Sequence, residues 1–204
     1  MKDTSGAQVL GRTSLKRLGI VMVPTVIAAG ALTVLMANGA LAVSFAISGQ
    51  TAQMKVGQLV GTGFAQYGSV DKQANGTQVP VAVSAFKTAT ITGLCQSVAT
   101  SLGPLGTYTL TLTATGANAT DMIIDLQSLK ASEADFKTMD IGVDASTING
   151  SATGATGTAG LFGQQATNAT LTNIQQVANA TSAGTFDLQG MSLSIAKSST
   201  GCIS

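Results

Sequence analysis

The strongest constraint in this sequence is a period of two. Tyr108-Thr109-Leu110-Thr111-Leu112-Thr113 alternates hydroxyl-bearing and apolar side chains without a break. Successive side chains on a strand point to opposite faces, so such a run specifies a β-strand with threonine on one face and apolar groups on the other. Thr88-Ala89-Thr90-Ile91-Thr92, Thr170-Leu171-Thr172 and Met191-Ser192-Leu193-Ser194-Ile195 behave in the same way. Gly and Asn interrupt these runs at short intervals, which predicts turns between many short strands. Gln73–Thr77 and Asn149–Gly160 read as exposed loops, and the second, NGSATGATGTAG, as low-complexity and mobile. A helix is expected over Ala131–Met139, starting near Ser132, with little helix elsewhere.

An internal echo supports a layered sheet. Ala89-Thr90-Ile91-Thr92-Gly93-Leu94, then Gln96, recurs as Ala169-Thr170-Leu171-Thr172-Asn173-Ile174, then Gln176. Ala119-Thr120 followed by Met122, Ile124, Leu126 and Gln127 is a looser third copy. The irregular spacing between copies excludes a strict solenoid repeat. The fold class expected is mainly β: an N-terminal hydrophobic export or anchor helix, followed by one β-rich sandwich, rolled-sheet or solenoid-like domain.

That N-terminal segment is Leu18 to Met36, LGIVMVPTVIAAGALTVLM, uncharged throughout and preceded by Lys2, Arg12, Lys16 and Arg17. Basic residues before an apolar run match the positive-inside rule. The following Ala37-Asn38-Gly39-Ala40-Leu41-Ala42 ends in the small-x-small pattern that signal peptidase accepts, with Ala40 and Ala42 at the cleavage site. The run is also long enough to span a bilayer. Residues 1–42 are therefore expected to be a signal peptide or an uncleaved transmembrane anchor. Residues 43–204 are expected to form an extracytoplasmic domain, secreted or held at the outer face of the cytoplasmic membrane. Membrane contact through residues 18–42 follows if the anchor stays. The two cysteines, Cys95 and Cys202, suit an oxidising compartment and suggest a disulfide, with two separate buried thiols as the alternative.

Composition narrows the chemistry. Charged residues make up only 9% of the chain, against a usual figure of about 25%. Beyond residue 42 there are six Lys, seven Asp and one Glu, a balance with no basic footprint for phosphate backbones. Nucleic acid is not an expected partner. The chain has no histidine, so Ser-His-Asp and Cys-His nucleophile arrangements lack their base. No G-x-S-x-G elbow and no phosphate-binding loop is present. Ser84-Ala85-Phe86-Lys87 matches S-x-x-K, but its alternating surroundings point Ser84 and Lys87 to opposite faces. Asp135, Asp140 and Asp144, with Glu133 nearby, are a Ca²⁺ candidate set or a solvated acidic face. No other metal and no cofactor is expected. Aromatic residues are few, and Phe45, Phe64, Tyr67, Phe86, Tyr108, Phe136, Phe162 and Phe186 read as core anchors.

Several stretches carry a family resemblance. They are Met36 to Ala42 with Ser44-Phe45-Ala46, Gly61-Thr62-Gly63-Phe64 leading to Tyr67-Gly68, and Leu94-Cys95-Gln96-Ser97. Gly142-Val143-Asp144-Ala145-Ser146 and Ala180 to Phe186 continue it. Together they make the chain similar to a family of small exported actinobacterial proteins of unknown function, often automatically labelled cholesterol esterases. The resemblance implies export, and because the family has no established activity, no catalytic residue is carried over from it. The esterase label has no support in a chain without histidine or a nucleophile elbow.

The function expected is an exported structural or interaction protein of the cell envelope, partnered by envelope components or by itself. The alternative is a lipid- or sterol-binding module, in which a rolled sheet forms a groove for an acyl chain or sterol, marked by an interior too large for these small side chains to fill. A hydrolase of unfamiliar type is the third reading.

Overall fold

A computed structural model describes residues 48–203. Seven strands follow in order: β1 Ala52–Lys72, β2 Gln78–Ser101, β3 Thr107–Lys130, β4 Glu133–Asp144, β5 Phe162–Ser182, β6 Thr185–Gln189 and β7 Ser192–Lys197. All belong to one antiparallel sheet, so the expected β-rich class is what forms. The export or anchor segment lies outside the described residues. The strands are fewer and longer than the punctuation of the sequence suggests.

The sheet closes on itself. β1 pairs with β2 on one side and β5 on the other, β2 pairs with β3, and β3 pairs with β5. The closing seam is longer than the β3–β5 contact alone. β3 and β4 form one ribbon, and β5, β6 and β7 form a second running antiparallel to it. Their register runs almost unchanged from Tyr108–Lys197 through Ala117–Leu188, Ile124–Thr181 and Asp135–Thr170 to Ile141–Gln164. Small shifts occur near Leu126 and after Ile141.

The closure is strongly staggered. Passing around the wall from Val177 leads to Gln53, Ser97 and then Thr111. Across the seam, however, Val177 pairs directly with Ser128, seventeen residues further along β3. With about 3.3 Å per residue and about 4.8 Å between strands, that stagger over four ribbons tilts the strands about 70° from the axis. The strands thus wind around the core, and the free sheet edges fall at the ends of the barrel.

Two transverse lines let the strands turn. One passes through Gly57, Gly93, Thr115 and Asn173, the other through Gly63, Lys87, Asp121, Thr167 and Thr138, and pairing is interrupted at each. Alternate strands enter the left-handed region there: Gly93 and Asn173 on the first line, Gly63, Asp121 and Thr138 on the second. Across each line the buried positions step by three residues instead of two. On β2 they are Phe86, Ala89, Ile91 and Leu94, and on β5 Ala166, Ala169, Leu171 and Ile174. This explains the echo, because β2 and β5 flank β1 in matching register. Leu59 pairs with both Ile91 and Leu171, and Gly61 with both Ala89 and Ala169. The looser copy joins the same row through Ala119, which pairs with Ala89.

Two expectations need correction. Residues 131–139 are not helical: Glu133–Asp144 is strand β4, paired with β5. The seam register outweighs the local helical pattern. Asn149–Gly160 is not simply an exposed loop. Ile148, Ala152 and Ala155 are buried against Tyr67, Val81 and Val83, making a second small core on the outer face of β1 and β2. Small residues permit this close approach, since a Cβ on Gly157 would lie 2.6 Å from Ala145 Cβ and 2.9 Å from Tyr67 Cδ2. The Tyr108–Thr113 run is strand as expected, and its threonine face is partly covered. Thr109 is 2% exposed and Leu110 44% exposed. Thr109 is buried by the C-terminal tail, whose Ser198 carbonyl accepts from Thr109 Oγ1 at 2.6 Å and whose Cys202 N–H donates to Ser97 Oγ at 2.8 Å. The Cys95–Cys202 disulfide fastens this tail over the outer face, with Cα atoms 5.9 Å apart.

Candidate functional site

The barrel interior is not filled. A cavity of about 250 Å³ lies among Leu59, Phe64, Phe86, Ile124, Leu171 and Ile174, with Phe136 at its side. In the inner rows Ala89, Ala119 and Ala169 stand beside Gly61, where the wall itself projects little side-chain volume. Phe86 leans over that gap, where a Cβ on Gly61 would collide with its ring. Phe64 stacks at a tilt on Phe86 and Phe136, with centroids 5.4 and 4.9 Å away. Phe64, Phe86 and Phe136 together form one aromatic side of the space.

One inner row is polar. Gln164, Gln66 and Ser84 are direct cross-strand neighbours on β5, β1 and β2. Gln66 Nε2 donates to Ser84 Oγ at 2.8 Å, and Gln164 Nε2 donates to Gln66 Oε1. A third amide, Gln176, is buried twelve residues further along β5 and donates to Met54 Sδ at 3.2 Å. All four residues line the cavity, and none of the lining residues is ionisable. A primary amide has two donor hydrogens and a two-lone-pair acceptor, so these contacts leave both donors and acceptors for a guest. Leu129 and Ala134, which also line the space, are exposed where the β3–β4 ribbon breaks at Ala131-Ser132, and they mark its mouth.

The residues singled out from the sequence distribute differently. Ser84 and Lys87 face opposite ways, as expected. Ser84 is buried inside, whereas Lys87 lines an outer cleft of about 350 Å³ with Thr62, Thr138, Asp140 and Asn149. Gly63 shapes this cleft, because any Cβ there would meet the Gly150 carbonyl oxygen of the packed loop. The acidic residues do not converge. Glu133 and Asp135 lie on the exposed part of β4, Asp140 accepts from Gln165 Nε2 at 3.2 Å, and Asp144 binds its own loop. Among the described residues no group of three or more His, Cys, Asp or Glu is placed to hold a metal ion. Phe64, Phe86 and Tyr67 are core residues, but Phe162 is 61% exposed and anchors nothing. The signal cleavage positions, Ala40 and Ala42, lie outside the described residues.

Two carboxylates have perturbed acidity. Asp125 is pushed up to about 6, first by burial and second by the charge of Asp71. The same surroundings raise the Tyr67 phenol, again mainly through burial and then through Asp125. Asp144 is held below the usual carboxylate range, chiefly by the Ser146 hydroxyl and then by the backbone N–H groups of Ser146 and Gly160. Neither carboxylate lines the cavity.

Sequence reasoning missed Gln66, Gln164 and Gln176. Gln176 stood in the echo beside Gln96, so one signal was present, but a glutamine in an apolar stripe has no motif that marks it as interior.

Residues 48–203 match the model of a family of unknown function (DUF6230), and the chain belongs to that family. No curated protein and no solved structure matches it.

Proposed function

We propose that this family member is an extracytoplasmic binding module whose barrel encloses one predominantly apolar guest of the lipid class. The observation that carries this reading is the unfilled, aromatic-lined interior beneath a mouth at Leu129 and Ala134. Ligand sites are mostly apolar concavities with a few convergent polar groups, and this interior has that composition. Amides and a lone hydroxyl are neither acids nor bases near neutral pH, which favours binding over turnover as the task. The N-terminal apolar run and its small-x-small end support a location outside the cytoplasm.

Native mass spectrometry of the protein purified from its own host tests the reading. The expected spectrum contains a noncovalent adduct that organic extraction removes. Protein that is uniformly at its chain mass under gentle ionisation would count against an occupied barrel.

A second reading, a structural or self-associating envelope protein, rests on a different feature. Met191, Leu193 and Ile195 project apolar side chains along the β7 edge, with Leu193 56% and Ile195 68% exposed. Unpaired edges with apolar side chains invite further pairing. Light scattering across a concentration series distinguishes the two, since assembly through this edge raises the mass and a purely monomeric binder does not.

A further inference from the structure

We infer that the cavity selects guests by an uncharged head group that both donates and accepts hydrogen bonds, and that it discriminates against carboxylates. The inference rests on the reading of the interior as a ligand site and adds which chemical class enters it. Gln164, Gln66 and Ser84 form one transverse row, chained by Gln164 Nε2 to Gln66 Oε1 and Gln66 Nε2 to Ser84 Oγ. Counting what this chain leaves over defines the complement. The Gln164 carbonyl oxygen is a free acceptor, the Ser84 hydroxyl hydrogen is a free donor, and each amide retains a further N–H. Gln176, whose named contact uses only one N–H, adds another acceptor.

No cation lines the space, and Lys87, three residues after Ser84, lines the outer cleft instead. A carboxylate brought inside would lose its hydration without gaining a counter-charge, which is costly in an apolar enclosure. An alcohol or a primary amide loses much less, because the row can satisfy its donor and its acceptor together. The apolar walls of Phe64, Phe86 and Leu171 then cover the attached chain. A volume of about 250 Å³ is room for about eight water-sized units. That suits a medium-length chain, or one end of a longer molecule that leaves past Leu129. The class assigned is a neutral long-chain alcohol or amide, not a fatty acid anion.

The test is a matched series of one chain length, 1-decanol, decanamide and decanoate, titrated calorimetrically into the purified full chain after delipidation. At pH 7.5 the alcohol and the amide are expected to bind at least tenfold more tightly than decanoate. At pH 4, where decanoic acid is largely neutral, that gap is expected to narrow. Gln66→Leu combined with Gln164→Leu is expected to abolish the preference while leaving binding of the apolar chain. Ser84→Ala, a milder change checked by its melting curve, is expected to reduce it. Equal affinity for decanoate and decanol at pH 7.5 overturns the head-group inference and leaves the ligand-binding reading intact. Failure of every compound to bind, in protein shown to be folded and free of lipid, overturns both.

Discussion

Replacing Asp125 by asparagine should change how the fold responds to pH. Asp125 lies on β3 beside Val83 of β2 and Ala180 of β5, half-buried near Tyr67, with Asp71 the nearby charge that opposes its ionisation. Around this cluster, Asn179 donates to Asp71 Oδ2 at 3.1 Å and accepts from Gln127 at 2.8 Å. Because the folded-state value of about 6 lies above the ordinary 3.8, the folded state holds this proton more tightly than the unfolded chain. The resulting stability is fully present below pH 4 and is lost as pH rises through about 6. A shift of this size has an upper bound of about 3 kcal/mol. Water reaches part of the carboxyl and screens it, so roughly 1–2 kcal/mol is the working figure. In a domain of this size that is roughly 2–8 °C in melting temperature. The assay is thermal unfolding of both proteins at pH 4.5 and 7.5. The variant should gain on the wild type as pH rises, and the gain should level off above pH 7. A constant difference between the two proteins across that range would refute the assignment of a raised acidity to Asp125.

Other consequences can be measured in parallel. Substituting Cys95 and Cys202 with alanine frees the tail from a loop of 107 residues, with a chain-entropy loss of up to about 4–5 kcal/mol seen in denaturant unfolding. Gly61→Val should force Phe86 from its place over the cavity, at about 1–3 kcal/mol, and should also abolish guest binding. Asp144→Asn should speed hydrogen exchange at the Ser146 and Gly160 amides, which its carboxylate now accepts at 2.9 and 2.7 Å. Since Asp144 is held below the usual range, wild-type protection there is present above about pH 4 and is lost as pH falls further.

The local signals in the sequence were sound where each strand follows its own alternation. Thr88–Thr92, Thr170–Thr172 and Tyr108–Thr113 are all strand, and the even pair of cysteines is joined. Closure was not legible, because it depends on partners about a hundred residues apart, such as Met54 with Gln176. The six-residue unit Ala89-Thr90-Ile91-Thr92-Gly93-Leu94 did hold the clue to the winding. Its apolar positions step by two and then by three, with the left-handed glycine inside the longer step. Ala131–Met139 was misread because its own residues tolerate helix, whereas the choice was made by pairing with β5. The candidate site was the least legible part, since a cavity is made by what neighbouring rows fail to fill.

The continuous seam also orders the steps of folding. β1 with β2, and β2 with β3, are joined by short turns and can zip locally, whereas β7 reaches Tyr108–Thr113 only after the intervening chain has been laid down. Late, distant pairings of this kind are slow. Cys202 follows β7 by only a few residues, so docking of that ribbon brings its sulfur toward Cys95. Oxidation of the thiol pair then ties the closing ribbon back to the middle of the wall.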